Sequence, residues 1–175
     1  MQKDHLALEL DKILQLLADQ TSFEDARQAA LSLEPSNGLF EVNELLRETY
    51  DAHALSGRFG TPSFGNLHNM TNALRRAEAG AVLTPLELLR CAALLRVIRT
   101  VSEWRDKSAS VETCLDMRFN ALSPHKFLET KITSAIISEE EIADNASPEL
   151  ASIRRKIASA AAKIREKLDS MIRSS

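Results

Sequence analysis

Cysteine, glycine, proline and long apolar runs are all scarce in this 175-residue sequence, and each scarcity excludes something. Cysteine occurs only at Cys91 and Cys114. Cys91 lies inside the apolar run LLRCAALLRVI, the setting of a buried thiol and not of a disulfide framework. No apolar run approaches the roughly 18 residues that would span a bilayer. The opening MQKDHLALEL carries charges where a secretory signal needs an apolar centre, so the chain is read as cytoplasmic with no membrane partner. Five glycines, five prolines and few adjacent β-branched residues leave little material for strands. The fold class expected is all-α, a helical bundle core with a long C-terminal helix. A net charge of -3 is too small to imply a partner. With 44% hydrophobic and 27% charged residues the composition is that of a globular domain, not of a disordered chain.

What is present is helical periodicity, punctuated by start and stop signals. Leu6, Leu10, Ile13, Leu14 and Leu17 recur at helical spacing and predict a first amphipathic helix. A second helix is expected to begin at Ser22, set as its cap with acids in the first turn, and to end at Pro35, Asn37 and Gly38. A third runs from about Leu39 to Ser56, with Leu39, Val42, Leu45, Leu46 and Ala52 on one side. GRFGTPSFGN, residues 57–66, holds three of the five glycines and reads as the most irregular connection. LHNMTNALRRAEAG is a helix closed by Gly80, a natural left-handed cap. Thr84, Pro85 and Glu87 then stand in capping-box order before a helix apolar on much of its circumference, which should be central. A short helix is expected between Asp106 and Asn120, and another beginning at Ser123 and Pro124. ISEEEIADNAS, with isolated Ile137 and Ile142, reads as a polar connection with a short extended segment.

Catalytic constellations are not assembled by this pattern. His5, His53, His68 and His125 have no second ligand three or four residues away, so no metal site is predicted. The acids of SFEDAR and Glu139, Glu140 and Glu141 are adjacent groups on a helix start and a polar loop. Nothing nearby would split their pKa values as acid–base chemistry requires. The glycine-rich loop lacks the Lys and Ser/Thr of a phosphate loop, and no G-x-x-x-x-G-K-[ST] occurs anywhere. No catalytic residue, cofactor or metal is assigned to the chain.

The most distinctive segment is the last. Ser147, Pro148 and Glu149 announce a helix start, respectively as cap, as first-turn residue without a needed donor, and as an acid at the positive end of the dipole. From there to Ile172 the apolar residues Leu150, Ile153, Ile157, Ala160, Ile164, Leu168 and Met171 fall in one narrow stripe near a heptad spacing. A stripe of that width suits a single partner helix, and no other segment is long enough to cover it all. Arg154, Arg155, Lys156, Lys163, Arg165, Lys167 and Arg173 stand against only Glu166 and Asp169 after Ala151. Of these, Arg154, Arg155, Lys163, Arg165 and Lys167 are candidate contacts to nucleic-acid phosphates. No aromatic residue is there to stack on bases, so any such binding would be backbone-directed, weak and steeply salt-dependent.

In this order the segments LELDKILQLLA, ETYDAHAL, FGNLHNMTNALRRAEAGAVLTPLELL and IADNASPELASIRRKI closely resemble the N-terminal region of the second bacterial type of MutS protein, the paralogue lacking the mismatch-reading domain. The resemblance covers about Leu6 to Ile172. It departs at Ser138 and Glu141, where the family usually has an acid and a glycine in a turn, and at Asp25, where glycine is common. It implies that residues 1–146 form the helical core and 147–175 the start of a lever helix, cut before the clamp and ATPase domains. A second helix normally returns beside such a lever. For the full-length family it further implies ATP and magnesium, a nuclease-type C-terminal domain, and homodimeric clamping on DNA. Recombination suppression, DNA repair and ribosome rescue belong to that whole assembly, with DNA or the ribosome as partner. The chain itself is then a non-catalytic fragment. The rival reading is a free-standing helical adaptor that binds a protein partner along the stripe Leu150, Ile153, Ile157, Ile164 and Leu168. In isolation the chain is expected to pair with itself through that stripe, or to leave the last helix partly frayed.

Overall fold

The structure, a computed structural model, describes residues 8–65 and 67–173. Leu6 and His5 of the sequence expectations lie outside those residues. Within them the chain forms eight helices and no strand: α1 (Leu10–Asp19), α2 (Glu24–Leu31), α3 (Leu39–Phe59), α4 (Thr71–Glu78), α5 (Pro85–Lys107), α6 (Asp116–Asn120), α7 (Lys126–Ala135) and α8 (Pro148–Arg173). The fold is all-α, as its lack of strand-forming sequence requires.

Local signals set several boundaries. The Thr84 hydroxyl accepts the Glu87 N–H while the Glu87 carboxylate accepts the Thr84 N–H, a full capping box ahead of Pro85. At the end of α4, Gly80 has φ +86°, and the N–H groups of Gly80 and Ala81 donate to the carbonyls of Ala77 and Arg76. That is the Schellman arrangement, and it needs a residue without the Cβ penalty at that φ. Ser147 Oγ accepts the Leu150 N–H at 3.1 Å and so starts α8 as expected.

Other boundaries differ from expectation. α2 begins after Phe23, which has extended backbone and no side-chain cap, so Ser22 does not cap it, and the helix stops at Leu31, before Pro35. α7 begins after His125, two residues beyond Ser123 and Pro124. α3 continues past Ser56 and Gly57 to Phe59 and is stopped by Gly60 at φ +77°. Between α7 and α8 the chain turns tightly: Ile136 and Ile142 form an antiparallel bridge, and the N–H of Ile137 donates to the carbonyl of Glu141 at 2.9 Å. The substituted turn positions Ser138 and Glu141 close this turn through their own backbone groups.

α5 is the hub. Ala92 and Leu95 of α5 pack with Ile132 of α7 and Ile136 just beyond it, flanked by Leu88, Leu89, Cys91 and Ala135. Alongside this cluster Glu129, only 7% exposed, receives Arg99 at 2.9 Å and Arg96 at 3.2 Å. At its far end α5 builds a polar knot. Arg105 donates to the carbonyls of Ser108 and Val111 and to Asp116, and its guanidinium lies over the Phe119 ring. Trp104 meets the same ring and donates to the carbonyls of Phe59 and Gly60. α3 is held there too, because Asp51 accepts the Cys114 N–H and Glu48 takes Arg118 in a two-pronged pair.

α1 and α2 form a separate hairpin, tied to the segment before α4 by Asn69 donating to Asp25. The packing as a whole is sparse. The accessible surface is 13644 Å², against about 8500 Å² for a compact monomer of this size. The predicted apolar side of α3 accordingly faces mostly solvent: Leu39 is 77% and Leu46 61% exposed, Leu45 and Ala52 are exposed too and Val42 is half-buried, and Leu55 is the residue α3 buries. Ile13, Leu16 and Leu17 of α1 are likewise exposed.

Candidate partner-binding helix

α8 is 26 residues long, which at 1.5 Å per residue is about 39 Å. It buries none of its residues. Its base is fixed to the body. Ser147 caps the first turn, Leu150 is half-buried, and Arg154 reaches back to the Ile142 carbonyl at 2.9 Å and to the Asp144 carboxylate. From Arg155 to Ser170 no side-chain hydrogen bond or ion pair to the body is formed among the described residues. Ile157 is 63% and Ile164 61% exposed, and Ile153 and Leu168 are exposed as well.

These five stripe residues therefore divide by position. Leu150 belongs to the anchored base, while Ile153, Ile157, Ile164 and Leu168 form a continuous apolar line on the free length. A shallow hollow lined by Ala160, Lys163, Ile164, Glu166, Lys167 and Ser170 runs along its edge. The five basic candidates divide as well. Arg154 is engaged by Asp144, and Arg155 folds onto the Ala151 carbonyl of its own helix at 3.2 Å. Lys163, Arg165 and Lys167 are exposed and carry no ion pair among the described residues. The engagement of Arg154 by Asp144 was not foreseen from sequence. Its only trace there is an acid preceding the SPEL start by a few residues.

Elsewhere the chemistry is that of structural support. Burial pushes the Cys91 thiol up, and the Asp51 carboxylate beside Cys114, followed by burial, does the same there. A raised thiol is the opposite of the lowered one that marks an activated cysteine. The Thr113 hydroxyl holds the Asp116 carboxyl below its ordinary range, helped by the Thr113 N–H and Arg105, and Arg99 does the same for Glu129. Each of these acids is fully committed to neighbours that fix the fold. Among the described residues no three His, Cys, Asp or Glu side chains are grouped to hold a metal ion, and no helix is long and apolar enough to cross a membrane.

No family model matches the chain. It is similar to proteins named Endonuclease MutS2. That of Ruminiclostridium cellulolyticum is 42% identical over 178 aligned positions, covering 99% of this chain and 22% of the relative. That of Acetivibrio thermocellus is 37% identical over 171 positions, covering 96% and 22%. That of Clostridium perfringens strain SM101 is 36% identical over 169, covering 95% and 22%. The chain thus spans about a fifth of the length of the curated relatives it matches and is related to one segment of them.

Proposed function

We propose that this chain is the non-catalytic helical core and first lever arm of a MutS-like ATPase that acts on nucleic acid. The observation that carries the reading is α8: a capped helix anchored at one end by Ser147 and Arg154, with an apolar line from Ile153 to Leu168 along a length that its own body leaves bare. A rigid helix held at its root is suited to carry a displacement from one place to another, and a bare apolar line calls for a second helix running beside it. ATP, magnesium and any nuclease chemistry would then be supplied by other parts of the same assembly. Clamping on DNA as a homodimer, with roles in recombination suppression, DNA repair or ribosome rescue, would be exercised by that assembly as a whole.

Two measurements test this. ATP hydrolysis by the purified chain should be indistinguishable from buffer, and measured turnover would overturn the non-catalytic reading. Reading the source gene past the Ser175 codon should show an open frame continuing into a returning helix and a phosphate loop. A stop codon there would overturn the lever reading and favour the free-standing adaptor, in which the same apolar line binds a helix of another protein.

A further inference from the structure

The basic residues of α8 border its apolar line and do not form a face of their own. At about 100° per residue, Ile153, Ile157, Ala160, Ile164 and Leu168 fall within about 80° of the helix circumference. Lys156, Lys163 and Lys167 run along one edge of that sector, and Arg154 and Arg165 along the other. The side facing directly away carries Arg155 together with Glu166. The hollow along the lysine edge is lined by Ala160, Ile164, Lys163 and Lys167 together with Glu166 and Ser170, so apolar and basic groups share that surface with one acid.

We infer that what covers α8 is an amphipathic helix bordered by acidic residues, an inference that rests on the reading of α8 as a helix requiring a companion. Two other occupants fit less well. A second copy of α8 sets Lys against Arg if the helices run parallel and Lys against Lys if antiparallel, so like charges oppose in either direction. A nucleic-acid duplex lying on these lysines would rest against the apolar line and leave it uncovered by anything apolar. The one edge residue already satisfied illustrates the preferred chemistry: Arg154 is met by a carboxylate from outside the helix, that of Asp144. Lys156, Lys163, Lys167 and Arg165 offer the same contact further along, exposed and without an ion pair among the described residues.

The full 175-residue chain can be titrated with three probes followed by fluorescence anisotropy: a helical peptide of the length of α8 with leucine on its apolar line and glutamate on both borders, the same peptide with lysine borders, and duplex DNA of about 30 base pairs. The glutamate-bordered peptide should bind and the lysine-bordered one should not. The triple variant Lys156→Glu, Lys163→Glu, Lys167→Glu should weaken the first by about tenfold and rescue the second, the sum expected of a few border pairs turned from attraction to repulsion. Equal binding of both peptides would overturn the inference. So would duplex DNA displacing the peptide from the same lysines, or a dimer of the chain that the stripe variant below dissolves. The variant Ile157→Asp, Ile164→Asp separates this from the underlying reading. If it leaves peptide binding intact, the apolar line is not a partner surface and the lever reading fails. If it abolishes binding while the lysine reversals change nothing, only the acidic border is refuted. Both variants change exposed residues, so the melting temperature should be unchanged, and that readout confirms that the body remains folded.

Discussion

The α5–α7 pair and α8 are built from similar sequence material and reach opposite outcomes. Both open with a Ser/Thr cap or a capped lead-in, both carry isoleucine and leucine at helical spacing, and both set arginines beside them. In α5–α7 the apolar residues Leu95 and Ile132 are buried and the arginines 96 and 99 converge on one carboxylate. In α8 the isoleucines are exposed and the lysines, beyond the engaged Arg154, remain in solvent. Amphipathic pattern therefore specifies that a face will be covered; it does not specify by what. The apolar face of α5 is covered by Ile132, from a later helix of its own chain, and that of α8 is left bare by the described residues.

The sharpest way to break this comparison is to remove the same chemistry from both places. Leu95→Ala should cost about 2–4 kcal/mol in chemical denaturation, because it removes buried methyl groups and leaves a cavity in a thin core. Ile157→Ala should stay within about 0.5 kcal/mol, since the side chain is exposed and alanine is the better helix former. A loss at Ile157 as large as at Leu95 would mean the stripe is covered in solution.

The next largest effect concerns pH. Arg99, then Arg96, hold the Glu129 carboxyl below its ordinary value of 4.5 despite burial. A depressed folded-state value means that the stabilisation is fully present above the unfolded value and disappears as pH falls through the folded one. Acid unfolding should accordingly be steep below about pH 4.5, and Glu129→Gln should make that limb shallower while leaving the profile above pH 6 flat. An unchanged acid limb would show that the cluster contributes no proton linkage.

A smaller, local effect is expected at the root of the lever. Ser147→Ala removes the cap from α8 and should cost about 1 kcal/mol of helix stability. Because α8 buries none of its residues, the loss should appear as faster amide exchange in its first two turns, with the melting of the body unmoved. Coincident loss in both would mean the helix and the body unfold as one unit.

The parts of the fold readable in sequence are those decided within one or two helical turns. Thr84, Pro85 and Glu87 satisfy one another, Gly80 supplies a positive φ, and Ser147 caps α8 without help from afar. Ser22 and Ser123 cap no helix, since Phe23, with extended backbone, and Pro124 with His125 stand between them and the first helical residues. The stripe of α8 was legible as a stripe. The retention of Arg154 by Asp144, which separates the anchored root from the free length, was not, because it depends on how the turn between Ile136 and Ile142 brings the chain back. The side of α3 that faces the body was not legible for a related reason. Asp51 and Glu48 bind the Cys114 amide and Arg118 across 63 and 70 residues, and with this polar docking Leu39 and Leu46 face outward.

The sequence by itself determined that this protein is helical, where its strongest caps fall, and that its last helix carries one narrow apolar line edged by cations, because each of these follows from bond geometry and spacing along a single segment. Only the tertiary structure decided which lines are covered. Burial depends on pairs such as Leu95 with Ile132 and Glu129 with Arg99, whose meeting is set by the path of the intervening chain and leaves no periodic trace in either partner alone.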